Sequence, residues 1–289
     1  MLGPLAGLLL ASRPATAREW AWIGAVFVWI GATLRLPGGI AAQMLHACAL
    51  FLTGAFVCLM LVGRRVAPTN GALVASLIGF GVATLWAQIL GTGWGAISMA
   101  VTHEGWEMVR GWLELIERLR RSEQLSAGLA AGLRNYMLAM GNGTATMARV
   151  YPATLLLVAF PALLLAWNWY HRIAGAPAGR PGGRFAEFRF SDHLVWGVVL
   201  SVTLFVLPLG GPAPAIASNL GLVMFGLYLA RGAAVIWTLF TPQPGPALLA
   251  VGLGLLLLLP IAVGVLFALG LADTWIEFRH RMGAGDTGG

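Results

Sequence analysis

Long apolar segments, interrupted by few charges, constrain this chain more than any other feature of its sequence. A helix needs roughly 20 apolar residues to cross the hydrocarbon core of a bilayer. Continuous apolar runs favour helices, since a transmembrane barrel would show alternating segments of about ten residues. The sequence therefore predicts an all-α, polytopic transmembrane helix bundle of about seven spans. The predicted spans are Ile40–Val62, Gly71–Ala87 or a little beyond, Thr154–Trp169, Leu194–Leu209, Ala215–Phe240, Ala247–Leu271 and the shorter Trp20–Leu34.

Composition argues against a water-soluble fold. The chain of 289 residues is 58% hydrophobic and 10% charged, with a mean hydropathy of +0.81. Soluble domains are about 45–50% apolar and about 25% charged. We therefore expect one membrane domain over residues 1–289, with the lipid bilayer as the solvent for most side chains. The 18 positive side chains are all arginines, scattered among spans and loops rather than gathered with aromatics, so we do not expect nucleic-acid binding.

The most clearly patterned helix lies outside the apolar segments, in an insert that we place at residues 101–149. At 100° per residue, Trp106, Trp112 and Ile116 fall on the apolar half of this helix, opposite a charged half. A helix of this kind lies on an interface. It either rests on the bilayer surface or packs over the bundle, or it is a lid or coupling helix that contacts a partner protein. A weaker second helix follows, and we predict that it breaks at Gly141-Asn-Gly143, as a hinge or a plain turn.

Polar and ionisable side chains inside the spans are functional candidates, because burying them in hydrocarbon is costly. Gln43 and His46 lie three residues apart and therefore share one helix face. They would either bind a polar group of a small ligand or hydrogen-bond a neighbouring helix. Arg231 lies 16 residues into the segment Ala215–Phe240. Facing a cavity it would suit an anionic substrate, and paired with an acid it would be structural.

An acid and then a cluster of bases follow the last apolar segment. On a continuing helix, Asp273 and Glu277 would share a face, and Glu277 and Arg281 would form an i,i+4 pair. Two interpretations are open: a solvated, capped helix end, or an ion pair between Asp273 and Arg231 that locks the last helices together. Glu277, Arg279 and Arg281 join Asp273 as candidates for such a structural role.

The sequence has no Walker A, HExxH or GxSxG motif, and no dinucleotide-binding GxGxxG that follows a strand. Cys48 and Cys58 lie ten positions apart, which is not a useful metal-ligand spacing. We therefore expect no enzymatic activity, no metal and no cofactor.

Five motifs of the second half, within roughly residues 150–281, carry a family resemblance. They are Tyr151-Pro-Ala153, Asn168-Trp-Tyr-His-Arg172, Glu187-Phe-Arg-Phe190, Leu229-Ala-Arg-Gly232 and Gly270-Leu-Ala-Asp-Thr-Trp-Ile-Glu-Phe-Arg279. On these motifs the chain resembles the YybS-like family of predicted bacterial inner-membrane proteins. That family is similar to the substrate-binding S-components of energy-coupling-factor transporters, which capture a nutrient and work with a transmembrane partner and ATPases. The resemblance implies a multi-pass protein of the bacterial cytoplasmic membrane, and it carries over no ligand residues. The predicted span count departs from that of such subunits.

Two functional hypotheses of different classes follow. In the first, the protein is a substrate-binding transport subunit for a small nutrient, with a ligand among the spans near Gln43, His46 and Arg231. Its partner would then be a transporter transmembrane subunit with ATPases. In the second, the protein is a non-transporting scaffold or accessory subunit that docks another membrane protein through the amphipathic helix.

Overall fold

The computed structural model describes residues 2–35, 39–63, 66–183, 185–240, 252–254 and 257–276. Within these ranges the chain is helical and forms no strand, which confirms the all-α class. Two short 3-10 turns, Phe185–Glu187 and Asp192–Leu194, lie between the seventh and eighth α-helices. The α-helices are α1 (Leu2–Ala11), α2 (Ala17–Leu34), α3 (Ile40–Val62), α4 (Pro68–Ile89), α5 (Trp94–Arg121), α6 (Ala127–Arg149), α7 (Tyr151–Ile173), α8 (Val195–Val206), α9 (Ala213–Phe240) and α10 (Leu259–Ile276).

Five helices are long and apolar enough to cross a membrane, namely α3, α4, α7, α9 and α10. Helix α8 has 12 residues, fewer than expected from the apolar segment Leu194–Leu209. At about 1.5 Å per residue it is too short to cross the hydrocarbon core alone. Helix α2 carries Arg18 and Glu19 in its first turn and falls outside the group of five. The count of about seven spans therefore stays a prediction.

Helix α7 lies at the centre of the bundle and contacts α1, α4 and α9. The short α1 buries Leu5, Leu8 and Leu9 completely in the same core. Helices α3 and α4 pack tightly where Gly79 meets the backbone of Leu52, a position at which any side chain would collide. Helices α8 and α10 pack on α9. The bundle thus has two groups of helices joined through α7 and α9.

Asn219 links these two groups. Its side-chain oxygen accepts a hydrogen bond of 2.9 Å from the Ala153 N–H at the start of α7. Its side-chain nitrogen donates to the carbonyls of Arg149 and Ala215, at 2.8 Å each. One amide therefore satisfies backbone groups at a helix junction, where they have no partner within their own helix. This contact ties the first turn of α7 to α9.

Helices α5 and α6 form an antiparallel hairpin between α4 and α7. Its first helix begins at Trp94, seven residues before the predicted insert at residues 101–149. Helix α6 runs without interruption through Gly141-Asn-Gly143, so the predicted break is wrong. The physical reason is packing: the Trp106 ring lies so close to Gly141 that a β-carbon would meet it at 2.7 Å.

Candidate functional site

Arg231 is the most completely buried charged residue that the structure describes, and carboxylates surround it. Its side chain has no exposed surface, and that of Asp273 is 2% exposed. The Arg231 Nε atom donates to Asp273 Oδ2 at 2.9 Å, and Nη2 donates to the Asp273 carbonyl at 3.0 Å. Nη1 donates to Asp192 Oδ1 at 2.9 Å. All three guanidinium nitrogens are therefore occupied, which is what a charge buried in apolar surroundings requires.

Two glycines bring Arg231 and Asp273 together. Gly232 of α9 lies against the Leu266 carbonyl, and Gly270 of α10 lies against the Tyr228 carbonyl. A β-carbon at either glycine would overlap the opposing backbone. Small residues allow this kind of close helix approach in membranes. Because each glycine is one or three residues from the ion pair, the helix crossing itself sets the distance between Arg231 and Asp273.

The segment before α8 closes this cluster from the side. The Phe190 ring lies 5.4 Å from the Arg231 guanidinium carbon and packs edge-on against Tyr228 at 5.2 Å. Arg189 approaches the second Asp192 oxygen at 3.6 Å. Asp192 is 46% exposed, so the cluster opens to the surface on this side. Although Ser191-Asp192 has the sequence of a helix cap, the structure gives Ser191 no side-chain cap and directs Asp192 to Arg231.

We call Asp192, Arg231 and Asp273 the arginine cluster. Three of the motifs that carried the sequence resemblance meet here, through Phe190, Arg231 and Asp273. The two carboxylates outnumber the one guanidinium, and Arg189 supplies the balancing charge beside Asp192. Arg231 offers no unoccupied nitrogen to a ligand. The arrangement therefore acts as a lock between α9, α10 and the segment before α8.

The other residues predicted to bind a ligand lie elsewhere. Gln43 is exposed on α3, and His46 is half-buried on the same helix. Helix α3 packs mainly on α4, α1 and α5, whereas Arg231 lies on α9. The structure does not bring Gln43 and His46 to the arginine cluster. Ligand binding by Gln43 and His46 stays a prediction.

The remaining candidates divide into two groups. Glu277, Arg279 and Arg281 lie outside the described residues. On the hairpin, Ile116 is buried, Trp106 is half-buried against α6, and Trp112 is exposed. The side chains of the face predicted from sequence as one interface therefore divide into two sets. Some pack inside the hairpin, and others are exposed.

A cavity of about 540 Å³ lies where the α3–α4 connection meets the segment after α7. Met60, Val66, Pro68, Trp167, Gly179 and Arg180 line it. Trp167 is buried, and its indole N–H donates to the Arg180 carbonyl at 3.1 Å. The cavity combines an aromatic wall with an arginine from an exposed loop. Its volume lies within the range of about 300–1,000 Å³ that is typical of small-molecule sites.

Backbone contacts hold the loop beside this cavity in place. Arg18 at the start of α2 donates to the carbonyls of Arg172 and Ile173, which end α7. Glu19 accepts a hydrogen bond of 2.8 Å from the Gly175 N–H and also bonds Thr16 in a capping box. These bonds, that of Gly175 first, lower the pKa of Glu19 to about 2. Sequence reasoning missed this pair, although Thr16-x-x-Glu19 is a recognisable capping-box pattern.

In the part of the chain that the structure describes, no three His, Cys, Asp or Glu side chains gather closely enough to hold a metal ion.

Comparison with known sequences identifies a family. A family model described as "Predicted membrane protein (DUF2232)" matches residues 15–274. The match includes the loop anchored by Glu19, the cavity and the arginine cluster. No curated protein and no solved structure matches the chain.

Proposed function

The chain belongs to this family of predicted membrane proteins, and on that premise we propose that it is a substrate-binding subunit of a transport system. Its role would be like that of the S-components to which the YybS-like family is similar. We place it in the bacterial cytoplasmic membrane, where it would pass its ligand to a transmembrane partner driven by ATPases. The proposed role is one of binding, without enzymatic chemistry.

One observation carries the proposal: the cavity between the α3–α4 connection and the segment after α7. It lies at one end of the spans, where a ligand can enter from water. Val66 and Pro68 give the cavity apolar surface and Arg180 gives it a positive charge, so we expect a small anionic ligand with an apolar part. We prefer this location to one at Arg231, because Arg231 is already bound by two carboxylates, while ligand binding by Gln43 and His46 stays a prediction.

The test uses protein purified in mild detergent and native mass spectrometry of whatever small molecule accompanies it. Ala67 lines the cavity, so Ala67→Leu should fill the space and abolish the co-purified ligand. Ala49→Leu is the matched control, because Ala49 is exposed on the surface of α3. Equal ligand occupancy in the two variants would contradict the proposal.

A second pair of variants tests the charge. We expect Arg180→Ala to weaken binding of an anionic ligand, whereas Arg149→Ala removes an exposed arginine at the end of α6, away from the cavity. A loss in both variants would point to a general electrostatic effect rather than a site.

The scaffold hypothesis is the second candidate, and the hairpin supports it. Met108, Trp112 and Leu115 are all more than two-fifths exposed on α5. An apolar surface of this kind would suit a partner protein. Co-purification of a stoichiometric protein partner, lost in Trp112→Glu, would favour the scaffold over the transport subunit.

A further inference from the structure

The α5–α6 hairpin has a contact face and an apolar side that are distinct. On α5, Val109 and Ile116 are buried. On α6, Ala130, Gly141 and Ala148 are buried. These small residues let the two helices approach closely. The contact between α5 and α6 therefore buries little of the apolar surface of the hairpin.

Most of the exposed large apolar side chains form one stripe on each helix, and the exceptions, Met99 on α5 and Leu138 on α6, lie on the opposite side. On α5 the stripe contains Met108, Trp112 and Leu115, which are 58%, 49% and 41% exposed. Steps of four and three residues keep them on one face, about 60–100° behind the buried Val109 and Ile116.

The stripe on α6 is longer. It contains Leu129, Tyr136, Met140 and Met147, which are 55%, 59%, 46% and 65% exposed. Each lies one residue before a position that is buried or half-buried against α5, and so about 100° behind the contact face.

Both stripes lie on the same side of the hairpin. On both α5 and α6 the exposed stripe is rotated from the contact face in the same direction around the helix axis. The two helices run in opposite directions. Two antiparallel right-handed helices with equal offsets present those faces to one common side. The opposite side of α5 carries ion pairs, with Glu117 bonded to Arg120 at 2.7 Å and to Arg121 at 3.2 Å. The hairpin is thus a two-helix plate with one apolar and one charged side.

The apolar side continues a face that already packs on the spans. Trp94 and Val101 lie 14 and 7 residues before Met108 and fall on the same stripe of α5. Both pack against the core of the bundle, and the Trp94 ring contacts Phe80 at 6.2 Å. Beyond Val101, no part of the protein that the structure describes covers this face of α5. What surrounds a membrane bundle at that position is lipid.

We infer that the hairpin extends past the bundle and rests its apolar side in the interfacial layer of the bilayer. Trp112 and Tyr136 stand on this side, and such aromatics are enriched at membrane–water interfaces. The ion pairs of the opposite side then face water, where they need no burial. The hairpin anchors the protein to the lipid surface, independently of what the cavity binds.

The experiment places spin labels on the full-length protein in vesicles of phosphatidylcholine and phosphatidylglycerol. Cys48 and Cys58 are first replaced by alanine and serine, because they are the two native cysteines. Single cysteines then report the apolar side at Met108→Cys and Tyr136→Cys. Glu114→Cys is the matched position on the charged side. Collision with oxygen, which concentrates in lipid, is compared with collision with a water-soluble nickel chelate.

We expect the labels at positions 108 and 136 to collide more with oxygen than with nickel, and the label at position 114 to show the reverse. A nickel preference at positions 108 and 136 would overturn the inference, because the apolar side would then face water. Labels at both positions that are immobilised and shielded from both reagents would also overturn it. The surface would then be covered by a protein, either a partner or a second copy of the chain.

A variant that introduces charge on the apolar side provides a further check without disturbing the contact face. Trp112→Glu with Leu115→Glu should release the hairpin and move the label at position 136 from lipid to water. Glu114→Gln, on the charged side, should leave that label in lipid. An unchanged lipid signal in the double variant would count against the inference.

Discussion

Burial, rather than charge alone, should decide how much each acid of the arginine cluster contributes to stability. Asp273 and Asp192 both bond the Arg231 guanidinium at 2.9 Å. Their side chains differ in exposure, with 2% for Asp273 and 46% for Asp192. The variants Asp273→Asn and Asp192→Asn therefore remove the same charge at the same distance from two different environments.

The structure sets the expected magnitudes. Removing one partner of a buried ion pair costs about 3–5 kcal/mol, because the other charge stays buried and uncompensated. We expect Asp273→Asn near the lower end of that range, since Asn keeps one oxygen and Asp192 still faces Arg231. Asp192 is nearly half exposed, so water screens its pair with Arg231 and we expect Asp192→Asn to cost only about 1 kcal/mol. Arg231→Met with Asp273→Leu should recover much of the loss, because two apolar residues replace the pair.

Thermal unfolding in detergent, followed by the fluorescence of the 12 tryptophans, measures this difference. For chains somewhat shorter than this one, each kcal/mol of lost stability lowers the melting temperature by about 2–4 °C. We therefore expect Asp273→Asn to lower the melting temperature by on the order of 6–12 °C. For Asp192→Asn we expect only a few degrees. Equal shifts in the two variants would refute the reasoning, because burial would then not control the interaction. So would a fully stable Arg231→Met single variant.

Three further predictions concern packing, pH and orientation. Gly270→Ala should destabilise the α9–α10 crossing because its β-carbon would overlap the Tyr228 carbonyl, whereas Gly264→Ala, with open space around it, should be tolerated in the same melting assay. The pKa of Glu19 is lowered to about 2, so its stabilisation is complete above the unfolded value of about 4.3 and is lost as pH falls towards 2. Melting of the wild type and of Glu19→Gln should therefore converge below pH 4, and a constant difference would contradict the assignment. The arginines of the short loops lie mainly at the cavity end of the bundle, whereas those of the hairpin belong to a longer segment that the positive-inside rule weighs less, so we expect the cavity end to face the cytoplasm. Labelling of single cysteines at loop positions 175 and 211 by an impermeant reagent tests this, with position 211 expected to react from outside. The arginines concerned are Arg13, Arg18, Arg172, Arg180 and Arg189.

Several features could be predicted from local sequence because they depend on neighbours in the chain. The amphipathic pattern around Trp112 predicts the helix and its charged side from residues within one or two turns. The same is true of the apolar spans, whose composition makes lipid their solvent. The break at Gly141 was predicted wrongly for a related reason: glycine weakens a helix locally, but here the Trp106 ring from another helix fills the space.

The partners of Arg231 show what local reasoning could not decide. Two interpretations of Asp273 were open, a capped helix end or an ion pair with Arg231. The structure forms the ion pair. Ser191-Asp192 has the local sequence of a helix cap, because a carboxylate beside a helix start has that role when no cation is near. Only the packing of α8 on α9 brings it within reach of Arg231. The cavity beside Trp167 had no sequence signal, since its walls come from three separate segments.

The sequence by itself determined the solvent of this protein, its helical class and the two sides of its amphipathic helix. These follow from free energies that add along the chain, residue by residue, whatever the distant segments do. The tertiary structure decided which acids neutralise Arg231, where a cavity is left and which apolar side chains stay uncovered. Those outcomes depend on distances between residues far apart in sequence, such as the 42 positions that separate Arg231 from Asp273. Only the crossing of α9 and α10 at Gly232 and Gly270 sets that distance.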